Sequence, residues 1–184
     1  MRQGGLSWFR SSRTVLAASC LLAPLAGEAS TQEQGALPGG ASSLRETYED
    51  WTVNCVQKQG KHCLLQHQQT QQNGQRVLAI EVVGSGDGKT ATGTLVVPFG
   101  LALDAGVSLQ VDEQPSEAPV RFSTCLPAGC VVPLSFDGAS LAALRTGTAL
   151  KTMAKAANTN EPISFSVPLK GFSAAFDRVT TLMK

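Results

Sequence analysis

From residue 47 onward the chain alternates short apolar runs with turn residues. Residues 47–56 carry a strand pattern, with Trp51 and Val53 on one face. A second strand is predicted over 63–69, and it runs into an Asn73-Gly74 turn. That dipeptide favours a tight hairpin because both residues tolerate positive φ. Further strands are predicted over 76–83, 90–98, 107–112, 120–125, 130–136, 148–156 and 162–169. Residues 84–88, 99–106 and 113–119 read as connections, rich in glycine, proline or charge. Two helices interrupt the strands. Asp137 is placed to cap a short one over 138–145, with Gly147 ending it. Phe172, Phe176, Val179 and Met183 recur at helical spacing, which predicts a C-terminal amphipathic helix over 171–183. Eight or nine short strands with two small helices and no internal repeat point to an all-β sandwich.

The first 46 residues follow a different pattern. Arg2, Arg10 and Arg13 precede an apolar run at 15–25, and small residues follow at Gly27 and Ala29. This is the layout of a secretory signal peptide over 1–29, cleaved near Ser30. The run is far shorter than the roughly 20 residues that a bilayer-spanning helix needs, so no transmembrane segment is expected in the mature chain. Cys20 falls inside the leader and is expected to leave with it. Ala17 stands where a lipoprotein signal prefers leucine. Residues 30–46 offer little to bury and read as a flexible linker, with the folded domain over 47–184.

Composition narrows the function classes. Charged residues are 16% of the chain and the formal net charge is +1, which gives no long-range field for nucleic acid. Once the leader is removed, four cysteines remain. Cys55 and Cys63 bracket one polar turn, and Cys125 and Cys130 bracket another that contains Pro127 and Gly129. The intervening gaps of seven and four residues, on a chain sent to an oxidising compartment, favour two local disulfides over a zinc site. A crossed pairing of the two segments stays open, because connectivity does not follow from sequence.

The remaining chemistry-bearing residues have simpler readings. The stretch Gly84-Ser85-Gly86-Asp87-Gly88-Lys89-Thr90 resembles a phosphate loop, but Val83 stands where the first glycine belongs and a strand follows. It reads as a turn. His62 and His67, the two histidines of the chain, share one polar hairpin and read as surface residues, with weak metal binding the alternative. Asp112, Glu113 and Glu117 read as a solvated loop. The glutamine-rich tract 66–75 reads as an exposed hairpin whose amides could serve sugars or peptide backbone.

Four segments in order carry a family resemblance. They are Trp51-Thr52-Val53-Asn54-Cys55 with Cys63-Leu64-Leu65-Gln66; Val97-Pro98-Phe99-Gly100-Leu101-Ala102-Leu103; Phe122-Ser123-Thr124-Cys125-Leu126-Pro127-Ala128-Gly129-Cys130; and Val167-Pro168-Leu169-Lys170-Gly171-Phe172. Together they resemble the invasion-associated locus B family of exported proteins from Gram-negative bacteria, over residues 47–183. The resemblance implies an immunoglobulin-like β-sandwich in the periplasm or at the outer membrane, and an association with host-cell invasion. It carries over no catalytic residue.

The functional expectation is therefore a non-enzymatic envelope protein that binds an envelope or host-surface protein or glycan through its loops. No catalytic, cofactor-binding or metal-binding residue is nominated, no cofactor is expected, and nucleic acid is not an expected partner. Two alternatives stand beside it. One is a small periplasmic hydrolase with a site assembled from distant residues. The other is a periplasmic chaperone or inhibitor that adds a partner's strand to an open sheet edge.

Overall fold

The computed structural model describes residues 36–74 and 76–184. The expected leader over 1–29 lies outside the described residues, as does the linker up to residue 35. Among the described residues, ten strands form two antiparallel sheets. The long sheet has the order β1-β2-β3-β4-β5-β8-β7, from β1 (Ser43–Tyr48), β2 (Trp51–Gln57), β3 (Lys61–Thr70), β4 (Arg76–Gly84), β5 (Ala91–Val97), β7 (Thr124–Leu126) and β8 (Gly129–Phe136). The short sheet has the order β10-β9-β6, from β6 (Ser108–Val111), β9 (Ala149–Lys155) and β10 (Pro162–Pro168). Helices α1 (Gly138–Thr146) and α2 (Phe172–Leu182) complete the fold. The expected immunoglobulin-like class holds: two β-sheets, a short helix, a C-terminal helix and two disulfides.

Period-two alternation sets the core. Val53, Cys55, Leu65, Leu78, Ile80, Val82, Leu95, Val97, Val132 and Leu134 point inward from the long sheet and are buried. Helix α2 lays Phe172, Ala175, Phe176 and Val179 against this layer. Its buried stripe closes on Leu182, whereas Met183, the residue that the spacing predicted, is 37% exposed. Gly171 holds the start of α2 at φ 88°, and a Cβ there would collide with the Tyr48 carbonyl oxygen. The short helix is capped as expected, with the Ser140 amide donating to Asp137 Oδ1 at 2.8 Å.

Three expectations need correction. The linker predicted over 30–46 does not extend to its predicted end. Leu37 is buried in the core, and Ser43–Tyr48 is an edge strand in register with β2. Its polar residues concealed it: Leu44, Glu46 and Tyr48 are half-buried while their neighbours face water. The strand predicted over 47–56 is therefore two, split by a turn at Glu49, whose φ is 52°. The strand predicted over 120–125 shortens to Thr124–Leu126, because Val120 exchanges backbone hydrogen bonds with Val107 instead.

The new edge strand is clamped to α2. Arg178 donates from Nε and from its terminal nitrogen to the two oxygens of Glu46, each at 2.8 Å. The Arg178 hydrogen bonds hold the Glu46 carboxyl below its ordinary pKa, against the opposing effect of desolvation, and the Tyr48 hydroxyl assists at 2.9 Å. A depressed folded-state pKa gives stability that is present above the unfolded value, about 4.3, and lost as pH falls through the folded value. A partly exposed two-pronged pair of this kind contributes about 1 kcal/mol. Glu46→Gln is expected to lower the melting temperature at pH 7. The gap to the unaltered protein should close as the pH is taken to 3, which thermal melts by circular dichroism across that range would check.

Candidate functional site

The cysteines stand at opposite ends of the long sheet. Cys55 bonds to its cross-strand neighbour Cys63, and Cys125 to its neighbour Cys130. Following the register, Cys63 is level with Gly84, Ala91 and Phe136 at one end. Cys130 is level with Val97 at the other, six residues along β5 from Ala91 and so about 20 Å away. The Cys125–Cys130 bridge braces the terminal β7–β8 hairpin, and the Cys55–Cys63 bridge braces the β2–β3 hairpin one strand in from the other border of the same sheet.

The histidines separate. His62 is exposed, but His67 is not the surface residue that its polar neighbours suggested. It is 9% exposed, and it points inward in the same alternation as Cys63 and Leu65. His67 Nδ1 lies 2.7 Å from the Asp50 carbonyl, so it carries the hydrogen. Gln69 Nε2 lies 3.2 Å from His67 Nε2 and donates to the Ser166 carbonyl of β10 at 2.6 Å. One glutamine of the tract is thus engaged on this chain's own backbone, where it covers an outer carbonyl of an edge strand.

The other candidates take structural roles. Residues 84–90 form the β4–β5 hairpin turn, closed by the Ser85 amide donating to the Thr90 carbonyl at 2.9 Å. Asp112 accepts the amides of Thr148 and Ala149, which hold its carboxyl below the ordinary range and fix the start of β9. Glu113 pairs with Lys151 at 2.8 Å. Among the described residues, no three His, Cys, Asp or Glu side chains stand close enough to hold a metal ion.

A surface that sequence reading missed lies at the Cys125–Cys130 end. Phe99, just beyond β5, is 60% exposed, and Leu126, in the braced hairpin, is 53% exposed. Pro98, Phe99, Pro127, Ala128 and Gly129 line one notch together with Arg76, the first residue of β4. No ion pair joins Arg76 to a carboxylate among the described residues. Gly129 sits at φ 133°, where a Cβ would stand 2.5 Å from the Val97 carbonyl oxygen, so only glycine lets the tip lie this close to β5. Exposed aromatic and aliphatic groups around an arginine, on a tip that cannot splay, are the composition of a recognition surface. The signal was present in Phe99 and Leu126 themselves, but only the topology shows that they stand at the same end of the sheet and lack cover.

The family description "Invasion associated locus B (IalB) protein" matches residues 51–180. This chain belongs to the invasion-associated locus B family. An invasion protein B homolog of Brucella abortus (strain 2308) is 47% identical over 150 residues, covering 80% of this chain and 86% of that protein. Invasion protein B of Bartonella bacilliformis is 40% identical over 151 residues, covering 80% of this chain and 81% of that protein. A crystal structure of invasion-associated protein B from Bartonella henselae matches with a TM-score of 0.71 at 40% identity, over 76% of this chain and 97% of that chain. The invasion-associated locus B match thus covers every strand but β1, both disulfides and most of α2.

The Cys125–Cys130 bridge closes a short loop, so it adds about 2 kcal/mol in the chain-entropy model, and its larger effect is to order the tip. The double variant Cys125→Ser/Cys130→Ser is expected to stay folded. Amide hydrogen exchange should accelerate at residues 123–129 and stay unchanged at Val53, Leu65 and Ile80.

Proposed function

We propose that this protein is a non-enzymatic binding module of the cell envelope, whose recognition surface is the apolar end formed by Phe99, Leu126, Pro127 and Arg76. The observation that carries the reading is the pair of large apolar side chains, 60% and 53% exposed, beside a disulfide-braced tip. Fixing the tip before contact reduces the ordering cost of association, which is where binding energy from a small surface is usually lost. The relatives are named for invasion, and that supports a partner on a host cell or in the bacterial envelope. The leader pattern and the bridged cysteines support export to the periplasm or the outer membrane. Arg76 favours a partner that brings a carboxylate next to an apolar or aromatic group.

The test compares adhesion of the purified protein to host cells and to isolated outer membranes. Phe99→Ala/Leu126→Ala is expected to lower binding at least tenfold, while melting within about 2 °C of the unaltered protein because both residues are exposed. Val56→Ala/Val83→Ala, on the outer face of the same sheet, is expected to bind normally. Loss of binding in the second variant and not in the first would refute the assignment.

A further inference from the structure

A second site is distinct from that surface and shares no residue with it. Between β6 and α1 lies a cavity of about 190 Å³, walled by Leu109, Phe136, Ala143, Leu144 and Leu150. A cavity of about 150 Å³ with aliphatic and aromatic walls takes up benzene, so this one accommodates a single ring or a branched alkyl group. Its rim is polar and acidic. Glu117 and Ser140 line it, and no lysine or arginine does.

The rim sets a hydroxyl between two carboxylates. Ser140 Oγ lies 2.8 Å from Asp137 Oδ1 and 3.0 Å from Glu117 Oε1, and a hydroxyl has one hydrogen to give. Asp137 is taken up in capping α1 and does not line the cavity, so Glu117 is the carboxylate that faces it. The lips of the cavity are also closed to an added strand. The Glu117 amide donates to the Leu109 carbonyl, the Gln114 amide to the Val111 carbonyl, and Val107 and Val120 exchange both of their bonds. The cavity is therefore open to a small ligand and not to a strand.

We propose that this cavity is a binding site for a small primary amine bearing one ring-sized apolar group, its ammonium paired with Glu117. The walls bury the apolar group, and Glu117 supplies the charge complement at the mouth. Phenethylamine is the probe, and 3-phenylpropionate, which has the same ring with the opposite charge, is the comparison. Titration of the isotope-labelled protein with phenethylamine is expected to give saturable amide shifts at Leu109, Ser140 and Ala143. Glu117→Gln should weaken binding at least fivefold, since it keeps the shape and removes the charge at an exposed position. Ala143→Phe should abolish binding by filling the cavity. The proposal is overturned by the absence of saturable shifts around the cavity, by 3-phenylpropionate binding as tightly as the amine, or by unchanged affinity in Glu117→Gln.

Discussion

The turn between β1 and β2 holds the two sheets and the C-terminal helix to one another. Trp51, 1% exposed, donates from its indole nitrogen to the Pro168 carbonyl at 2.9 Å, across 117 residues of sequence. The same ring meets Phe172 edge-on at 5.0 Å and His67 at 5.8 Å. The Asp50 amide donates to the Lys170 carbonyl, and Glu49 pairs with the Lys170 ammonium at 3.1 Å. Gly171 is the residue that lets this junction close, since any side chain there would occupy the place of the Tyr48 carbonyl. A large aromatic ring with its one polar atom satisfied contributes both burial and orientation, and here it fixes where α2 begins.

That junction explains how the short sheet avoids an open edge. Strand β10 borders it, and its outer carbonyls at Ser166 and Pro168 are taken by Gln69 and Trp51. Proline at each end of the strand removes further donors. Strand β6, at the opposite border, is covered by the backbone of residues 114–120. The molecule closes the edges of its short sheet with its own groups, which weighs against strand addition there. The exposed apolar groups lie instead on loops and on the outer face of the long sheet.

Much of this was legible in the sequence, and the exceptions share a cause. Alternation located most strands, Asp137 and Gly147 bounded α1, and the bracketed turns indicated local pairing of cysteines. What escaped depends on residues far apart in the chain. Strand β1 is polar because it is an edge, so its hydrophobic signal reduces to Leu44 and Tyr48, and its clamp, Arg178, lies 132 residues away. His67 was misjudged because its polar neighbours outweighed the period-two argument that places it inward with Leu65. Phe99 and Leu126 looked like ordinary loop residues until the strand order set them at one end of the long sheet. Their exposure is a property of the topology, and local pattern does not encode it.

The central claim is that contact is made by one end of the long sheet, and photocrosslinking tests it most directly. A benzophenone amino acid placed at Phe99 in one protein and at Val83 in another reports on the two exposed apolar regions, the end and the outer face. After illumination on host cells or outer membranes, the account predicts a discrete crosslinked species from position 99 that excess unmodified protein competes away. Position 83 should give none. Crosslinking confined to position 83, or equal and uncompeted at both, would contradict it.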